Sequence, residues 1–462
     1  MSKYNSKVGK DKIRAIINDG SSHVHFIGVG GVGMYSLFRL TERLGRRVSG
    51  SDRERSEFTL RLEGEKCDVH IGHSAENVKD ANLVVYTLAL SEDNPEILYA
   101  VKNSIPTVSR AEYLGALMEE YKERIGISGT HGKSTTTAML DAIFTESGRE
   151  PTSVAGAILQ NEKQPFREGK RDFFIYEACE YMDSFLRFSP TASVFTNIEL
   201  DHVDYFKDIE AIKASFLSAM DLSPLSVVNV DDANIRSLIP LTKSRCVSYG
   251  THDNADYRVY ISSLEKGRYS FKIRHEGIDD VNISLKIPGK FNVMNAAAAT
   301  AVSLEFGIEP QRIEAALSNF SGIQRRLQKI GEYNGASVFY DYAHHPTEIS
   351  GSINAVRECI GGRVAVIFKP HTYSRTAAFE EEIANALSFA DEVLLCDISG
   401  IREENVWGVS SKALVSKIKC RAKYVSEERC AADFLSNGLS AVIIMGAANL
   451  DAVREGIIKE RN

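Results

Sequence analysis

At 462 residues the chain exceeds what one ordinary hydrophobic core organises, so two to four domains are expected, each burying its own apolar interior. With 43% hydrophobic and 25% charged residues it has the composition of a soluble globular protein. A formal net charge of -7 argues against a general nucleic-acid or anionic-membrane surface and favours small-molecule partners. The seven cysteines are scattered without a C-x-x-C pair, which fits neither a disulfide framework nor a structural zinc site and suggests thiols in a reducing compartment. Met1 to Gly20 is interrupted by Lys, Asp and Arg and does not read as a signal peptide, and no apolar run approaches membrane-spanning length; a cytoplasmic protein is expected.

His23 to Ile27 reads as a strand, followed at once by Gly28-Val29-Gly30-Gly31-Val32-Gly33 and by Leu37, Leu40 and Leu44 at helical spacing. Another strand, Arg47 to Ser51, ends at Asp52, nearly where dinucleotide-binding folds place a ribose-binding carboxylate. This G-x-G-x-x-G context supports a diphosphate on the loop and a hydroxylated sugar near Asp52, without identifying the nucleotide. NAD, another dinucleotide-like ligand and a turn needed only for helix packing all stay open. Leu83 to Thr87 reads as a buried parallel strand, and the charged helical segment Arg110 to Tyr121 closes a first domain of residues 1–122.

The short run Arg124 to Ser128 precedes Gly129-Thr130-His131-Gly132-Lys133-Ser134-Thr135-Thr136, and Met139, Leu140, Ile143 and Phe144 then repeat at helical spacing up to Gly148. Strand, glycine loop and helix together can turn backbone N–H groups onto a phosphate, with Lys133 adding a full charge and Ser134 a hydroxyl for a nucleotide-bound Mg2+. A strict Walker pattern needs glycine where Ile127 stands, so an ordinary βα turn carrying a lysine is the bland alternative. The strand Phe173 to Tyr176 ends in Glu177, which could face the metal carried by Ser134. Ser193 to Thr196 leads into Asn197, Asp201, His202 and Asp204, a cluster suited to metal or phosphate. Residues 257–287 alternate polar and apolar side chains, which predicts an antiparallel section. Ala296 to Ala299 suggests a closely packed helix; Asn292 and Asn295 before it could face a base edge, but taken alone read as capping residues. This second domain spans residues 123–323.

A third domain, residues 324–462, opens with Arg325 and Arg326, from which a basic side chain could reach a phosphate. Val338 to Asp341 and Val364 to Phe368 read as strands whose ends carry two polar loops, Tyr342 to Thr347 and Lys369 to Arg375, together suggesting a substrate face. Glu392 to Asp397 and Val442 to Gly446 supply further parallel strands. The expected fold is α/β in three domains: a Rossmann-like N-terminal domain, a central P-loop-type ATPase domain with an antiparallel section, and a C-terminal Rossmann-like domain.

Taken together, GVGGVGM (Gly28 to Met34), GTHGKSTT (Gly129 to Thr136), TNIELDHVD (Thr196 to Asp204), Pro288 to Asn295, DYAHHPTEI (Asp341 to Ile349) and PHTYSRT (Pro370 to Thr376) resemble the muramyl ligase family, in family order and over nearly the whole chain. The resemblance implies a first domain binding a UDP-sugar in place of NAD, a central ATP-binding domain with Mg2+, and a third domain binding the incoming amino acid. ATP would phosphorylate the lactyl carboxylate of UDP-N-acetylmuramate, and the amine of L-alanine would attack the acyl phosphate; no nucleic acid or membrane partner is implied. Position by position, Gly28, Gly30, Gly31 and Gly33, with Asp52, would hold the UDP-sugar, and the loop Gly129, Thr130, His131, Gly132, Lys133, Ser134 and Thr135 the phosphates of ATP. Ser134 and Glu177 would take a first Mg2+ and His202 a second metal. Asn292 and Asn295 would lie near adenine, which replaces the capping reading. Arg326 and Asp341 would bring the third domain onto the ATP site, and His344, His371 and Arg375 would form the amino-acid end.

Phe291, Lys369, Ala448 and Tyr340 depart from the family's usual residues, which bears on the adenine contact and the amino-acid pocket. Within the family the first glycine loop resembles members that use L-alanine more than those that attach a recovered tripeptide. An NAD-dependent oxidoreductase would leave Lys133 unexplained, and a non-catalytic ATP-binding regulator would not need the set Ser134, Glu177 and His202.

Overall fold

Buried β-branched runs bounded by glycine or polar residues become parallel strands, and amphipathic segments between them become helices, in a computed structural model that describes residues 8–88, 90–91, 93–159, 163–400 and 403–458. The Met1 to Gly20 reading lies partly outside the described residues; within it Lys10–Asn18 is a helix that buries Ile13 and Ile17. No helix among the described residues is long and apolar enough to cross a membrane. The chain divides into two compact units: one holds the chain through Ser128 with Arg149–Ser193 and Ser218–Leu225, the other holds Gly129–Gly148, Val194–Leu217 and the chain from Ser226 onward.

In the first unit, β1 (His23–Ile27), β2 (Arg47–Asp52), β3 (Val69–Ile71), β4 (Leu83–Tyr86) and β5 (Thr107–Ser109) form a parallel sheet of order β3-β2-β1-β4-β5. Strand order reverses between β1 and β4, so their carboxyl ends open the crevice where such sheets take ligands. Gly28 to Gly31 lie at that point, and the helix Val32–Arg43 follows, burying Met34, Tyr35, Leu37, Phe38 and Leu40. Gly28 has φ +91°, and a Cβ there would stand 2.8 Å from the Thr87 methyl, so the turn beside β4 admits only glycine. The same unit carries β6 (Glu123–Ser128), β7 (Thr152–Leu159), β8 (Gln164–Arg167) and β9 (Phe173–Glu177) in order β6-β9-β7-β8, with only β8 antiparallel to its neighbour.

The second unit receives β10 (Ala192–Phe195) from Val194 and β11 (Leu225–Asn229) from Ser226, followed by β12 (Arg245–Gly250), β13 (Tyr257–Glu265), β14 (Arg268–His275) and β15 (Ile278–Pro288), in order β15-β14-β13-β12-β11-β10. The last three make the antiparallel section that the alternation predicts. The alanine-rich helix Phe291–Glu305 packs on the helix Lys133–Glu146, and Ala296 to Ala299 are fully buried because small side chains permit that approach. Further on, β16 (Gln328–Tyr333), β17 (Ala336–Asp341), β18 (Val364–Phe368), β19 (Glu392–Leu395), β20 (Arg421–Tyr424) and β21 (Ala441–Met445) form a sheet of order β16-β17-β21-β18-β19-β20, parallel except for β16. On one face Ile349, Ile353, Val356, Val366, Phe368 and Val393 pack together with Leu200 and Val203 from the segment after β10. Each fully buried aliphatic side chain there contributes about 1.5–3 kcal/mol. This anchors the segment Asn197 to Asp204 against the ends of β17 and β18.

Candidate active site

The loop between Ser128 and the helix Lys133–Glu146 needs two glycines in unusual conformations, Gly129 at φ +140° and Gly132 at φ +86°. A Cβ on Gly129 would strike the Thr196 hydroxyl, and one on Gly132 the amide oxygen of Asn295. Gly132 is the N-cap, and no side chain caps the helix, so its first N–H groups are presented to the loop. The segment after β10 clamps the loop. His131 N donates to Asn197 Oδ1 at 2.8 Å, Asn197 Nδ2 to His131 O at 3.0 Å, and Thr196 Oγ1 to His131 O at 2.6 Å. Glu199 N donates to Thr130 Oγ1 at 2.9 Å. Asn197, which the sequence groups with metal or phosphate ligands, is thus committed to holding the loop. Lys133 Nζ donates to the carbonyls of Gly129 and Thr130, the latter at 3.2 Å. Ser134 is buried, with Arg326 Nη2 3.5 Å from its hydroxyl.

Beside the loop lies a cavity of about 240 Å3 whose wall includes Gly132, Thr135, Asn292, Asn295, Arg326 and Asp341. Asn292 and Asn295 are buried inside the helix and do not cap it: its N-cap is Lys290, Asn292 Nδ2 donates to Pro288 O at 2.7 Å, and Asn295 Nδ2 to Asn292 Oδ1 at 3.1 Å. The capping reading fails because the helix already begins at Phe291, which puts Asn292 in its first turn and Asn295 beyond it. Phe291, 42% exposed, also lines the cavity. Burial raises the Asp341 carboxyl above the ordinary carboxylate range, only partly offset by the Ser352 hydroxyl bonded to it and by Arg326. Tyr340 is buried with Arg325 over its ring at 5.1 Å, while Arg325 Nη2 donates to Ala448 O at 3.0 Å. Lys369 pairs with Glu428 at 2.6 Å.

The expected amino-acid residues do converge. His344 and His371 have ring centroids 6.4 Å apart, and Arg375 Nη1 stands 3.4 Å from His371 Nδ1. Burial lowers His344 to about 4, more than neighbouring Glu348 restores, so its imidazole is neutral. Arg375 Nε and Nη2 both lie 2.9 Å from Asp201 Oδ1. Burial alone would raise Asp201, but Arg375 outweighs it and holds the carboxyl well below the usual range. His202 N donates to the same Asp201 oxygen at 2.7 Å, from a left-handed backbone at φ +50°.

Sequence reading passes over the acids that tie these groups together. Glu348 lies 3.1 Å from His131 Nδ1, 3.3 Å from His344 Nδ1 and 3.8 Å from Arg326 Nη1. Its burial opposes ionisation, yet its charged neighbours keep it well below the ordinary carboxylate value. Burial also opposes charge on His131, but Glu348 and Glu199 lift it to about 9. The available signal was His345-Pro346-Thr347-Glu348, a capping box in which histidine replaces the usual hydroxyl residue.

In the first unit, Asp52 Oδ2 accepts from Gly30 N at 2.8 Å and so fixes the glycine turn. Gly30, Gly31 and Gly33 follow one another around this turn into the helix Val32–Arg43. Glu177, at the end of β9, accepts from Gly156 N. Ser134 and Glu177 are oxygen donors of the type Mg2+ takes, whereas the nitrogen donor His202 suits it less.

Residues 23–122, 127–303 and 325–454 match the family models described as Mur ligase family, catalytic domain; Mur ligase middle domain; and Mur ligase, glutamate ligase domain. The chain is 41% identical to a UDP-N-acetylmuramate--L-alanine ligase of Caldicellulosiruptor bescii over 85% of this chain and 88% of that protein. It is 38% identical to one of Clostridium botulinum, covering 96% and 98%. A crystal structure of UDP-N-acetylmuramate-alanine ligase from Thermotoga maritima superposes with a TM-score of 0.81 at 27% identity, over 95% of this chain and 99% of that one. A murein peptide ligase from Psychrobacter arcticus shares the fold, with a TM-score of 0.73 at 21% identity over 95% and 98% of the two chains. Its relatives and three successive domain matches place one conclusion beyond the fold: the chain belongs to the Mur ligase family.

Proposed function

We propose that this protein is an ATP-dependent ligase that joins L-alanine to UDP-N-acetylmuramate through an acyl phosphate, in cytoplasmic peptidoglycan precursor synthesis. The observation that carries this reading is the Gly129–Thr136 loop, where Lys133 opens an uncapped helix and Arg326 reaches Ser134 beside a cavity lined by Asn292 and Asn295. The relatives at 37–41% identity favour alanine over the tripeptide as the incoming amine.

In this reading residues 1–122 bind the UDP-sugar through Gly28, Gly30, Gly31 and Gly33, with Asp52 holding the turn. Residues 123–323 bind ATP and residues 324–462 the amino acid. Lys133 and Arg326 offset charge on the phosphates, while Asn292 and Asn295 face the base. The lactyl carboxylate attacks the γ-phosphorus and ADP leaves; the amine then attacks the acyl carbon, and the tetrahedral intermediate expels phosphate. His344 and His371 line the amine's approach, with the neutral His344 able to accept a hydrogen bond. Mg2+ would supply charge neutralisation when bound, with Ser134 as the oxygen donor that the phosphate loop offers it.

Release of ADP and phosphate with UDP-N-acetylmuramate, ATP, Mg2+ and, in turn, L-alanine, glycine, L-serine or the tripeptide tests the assignment. Turnover with L-alanine is expected; turnover with the tripeptide but not L-alanine would overturn it. Gly132→Ala is a second test, because the left-handed backbone and the Asn295 amide both oppose a Cβ. ATP affinity measured by calorimetry is expected to fall at least about tenfold, matching a strain of roughly 1–2 kcal/mol. Unchanged affinity would remove Gly132 from the loop's working conformation.

A further inference from the structure

His131, Glu199 and His345 offer one ligand atom each, all within 4.8 Å of one another. Glu199 Oε2 lies 3.5 Å from His131 Nε2 and 3.4 Å from His345 Nδ1. Two ligands each about 2.0–2.1 Å from a tetrahedral centre stand about 3.4 Å apart, so the spacings from Glu199 to each imidazole suit a four-coordinate ion. The outer nitrogens are placed as those of ligating histidines usually are. His345 Nε2 faces the Leu200 carbonyl at 3.2 Å, and His131 Nδ1 has Glu348 at 3.1 Å. His345 Nδ1 accepts from Thr347 N at 3.4 Å as the helix cap, a long bond that an ion on Nδ1 would replace. Thr347 Oγ1 donates to Glu199 Oε2 at 2.6 Å and fixes the carboxylate. Neither His131 ring nitrogen makes an aligned hydrogen bond; each faces a carboxylate instead.

We infer that His131, Glu199 and His345 form a binding site for a zinc-class divalent cation that ties the phosphate loop to the helix Pro346–Ile360. Two imidazoles and one carboxylate select zinc or cobalt over Mg2+, which prefers oxygen, so the site is separate in chemistry from the donors Ser134 and Glu177. It goes beyond the ligase reading and is testable without turnover. The probe is Co2+ added to the purified full chain, read by its visible absorption and displaced by Zn2+. The expected result is a low-coordinate cobalt spectrum saturating near one equivalent, without the thiolate charge-transfer band that the free cysteines would give. His345→Gln and Glu199→Gln are each expected to weaken binding at least about tenfold. No such spectrum in the wild type, a thiolate band, or undiminished binding in either folded variant would overturn the inference.

Discussion

Replacing Lys133 with alanine is expected to lower turnover by about three orders of magnitude while leaving UDP-N-acetylmuramate affinity within about twofold of wild type. The ammonium sits at the first residue of the helix and bridges the Gly129 and Thr130 carbonyls, so it shapes the loop, and in the proposed reaction it supplies the unit charge that a transferring phosphoryl group needs. Arg326 cannot take over, because its guanidinium is shared between Ser134 and Glu348 and lies over the Tyr342 ring at 4.9 Å. Steady-state kinetics gives the first quantity and calorimetric titration of the UDP-sugar the second. Loss of UDP-sugar affinity would contradict the proposed separation of sugar and ATP sites, and near-normal turnover would contradict the role of the lysine.

Arg375→Met is expected to destabilise the protein by about 3–5 kcal/mol, because it leaves Asp201 buried and charged without its partner. The two residues are 7% and 5% exposed, so water cannot compensate. Adding Asp201→Asn to Arg375→Met is expected to recover part of the loss, since the orphaned charge is then removed. The pH dependence has a definite sign. Asp201 titrates below its ordinary value in the folded protein, so its contribution is full above that value and is lost only as pH falls into the acid range. Chemical denaturation at neutral pH should show the whole penalty for Arg375→Met, and a change under about 1 kcal/mol would mean that the pair is not formed in solution.

The pair also shows where sequence reading stops. Arg375 was legible as a basic residue in a strand-end loop, but its partner lies 174 positions away, and no spacing rule connects them. The glycine loops, by contrast, were legible because their signals are local: a β-branched run, glycines at left-handed positions and an apolar helical repeat. The antiparallel section was legible for the same reason, its alternation persisting through β13, β14 and β15. Edge strands escaped notice. β16 and β20 lack a fully buried residue, and β8 is only Gln164–Arg167, so none has a hydrophobic pattern to distinguish it from a loop. Glu348 was hidden differently: a capping glutamate looks structural, and only the fold brings His131 and Arg326 to it.

The central claim is that this loop aims a γ-phosphate at a carboxylate, which then yields an amide. UDP-N-acetylmuramate labelled with heavy oxygen in its lactyl carboxylate tests that directly, with ATP, Mg2+ and L-alanine present. Formation of an acyl phosphate predicts that the inorganic phosphate released carries one oxygen from the labelled carboxylate, in step with amide formation. Amide formed with unlabelled phosphate would contradict the account.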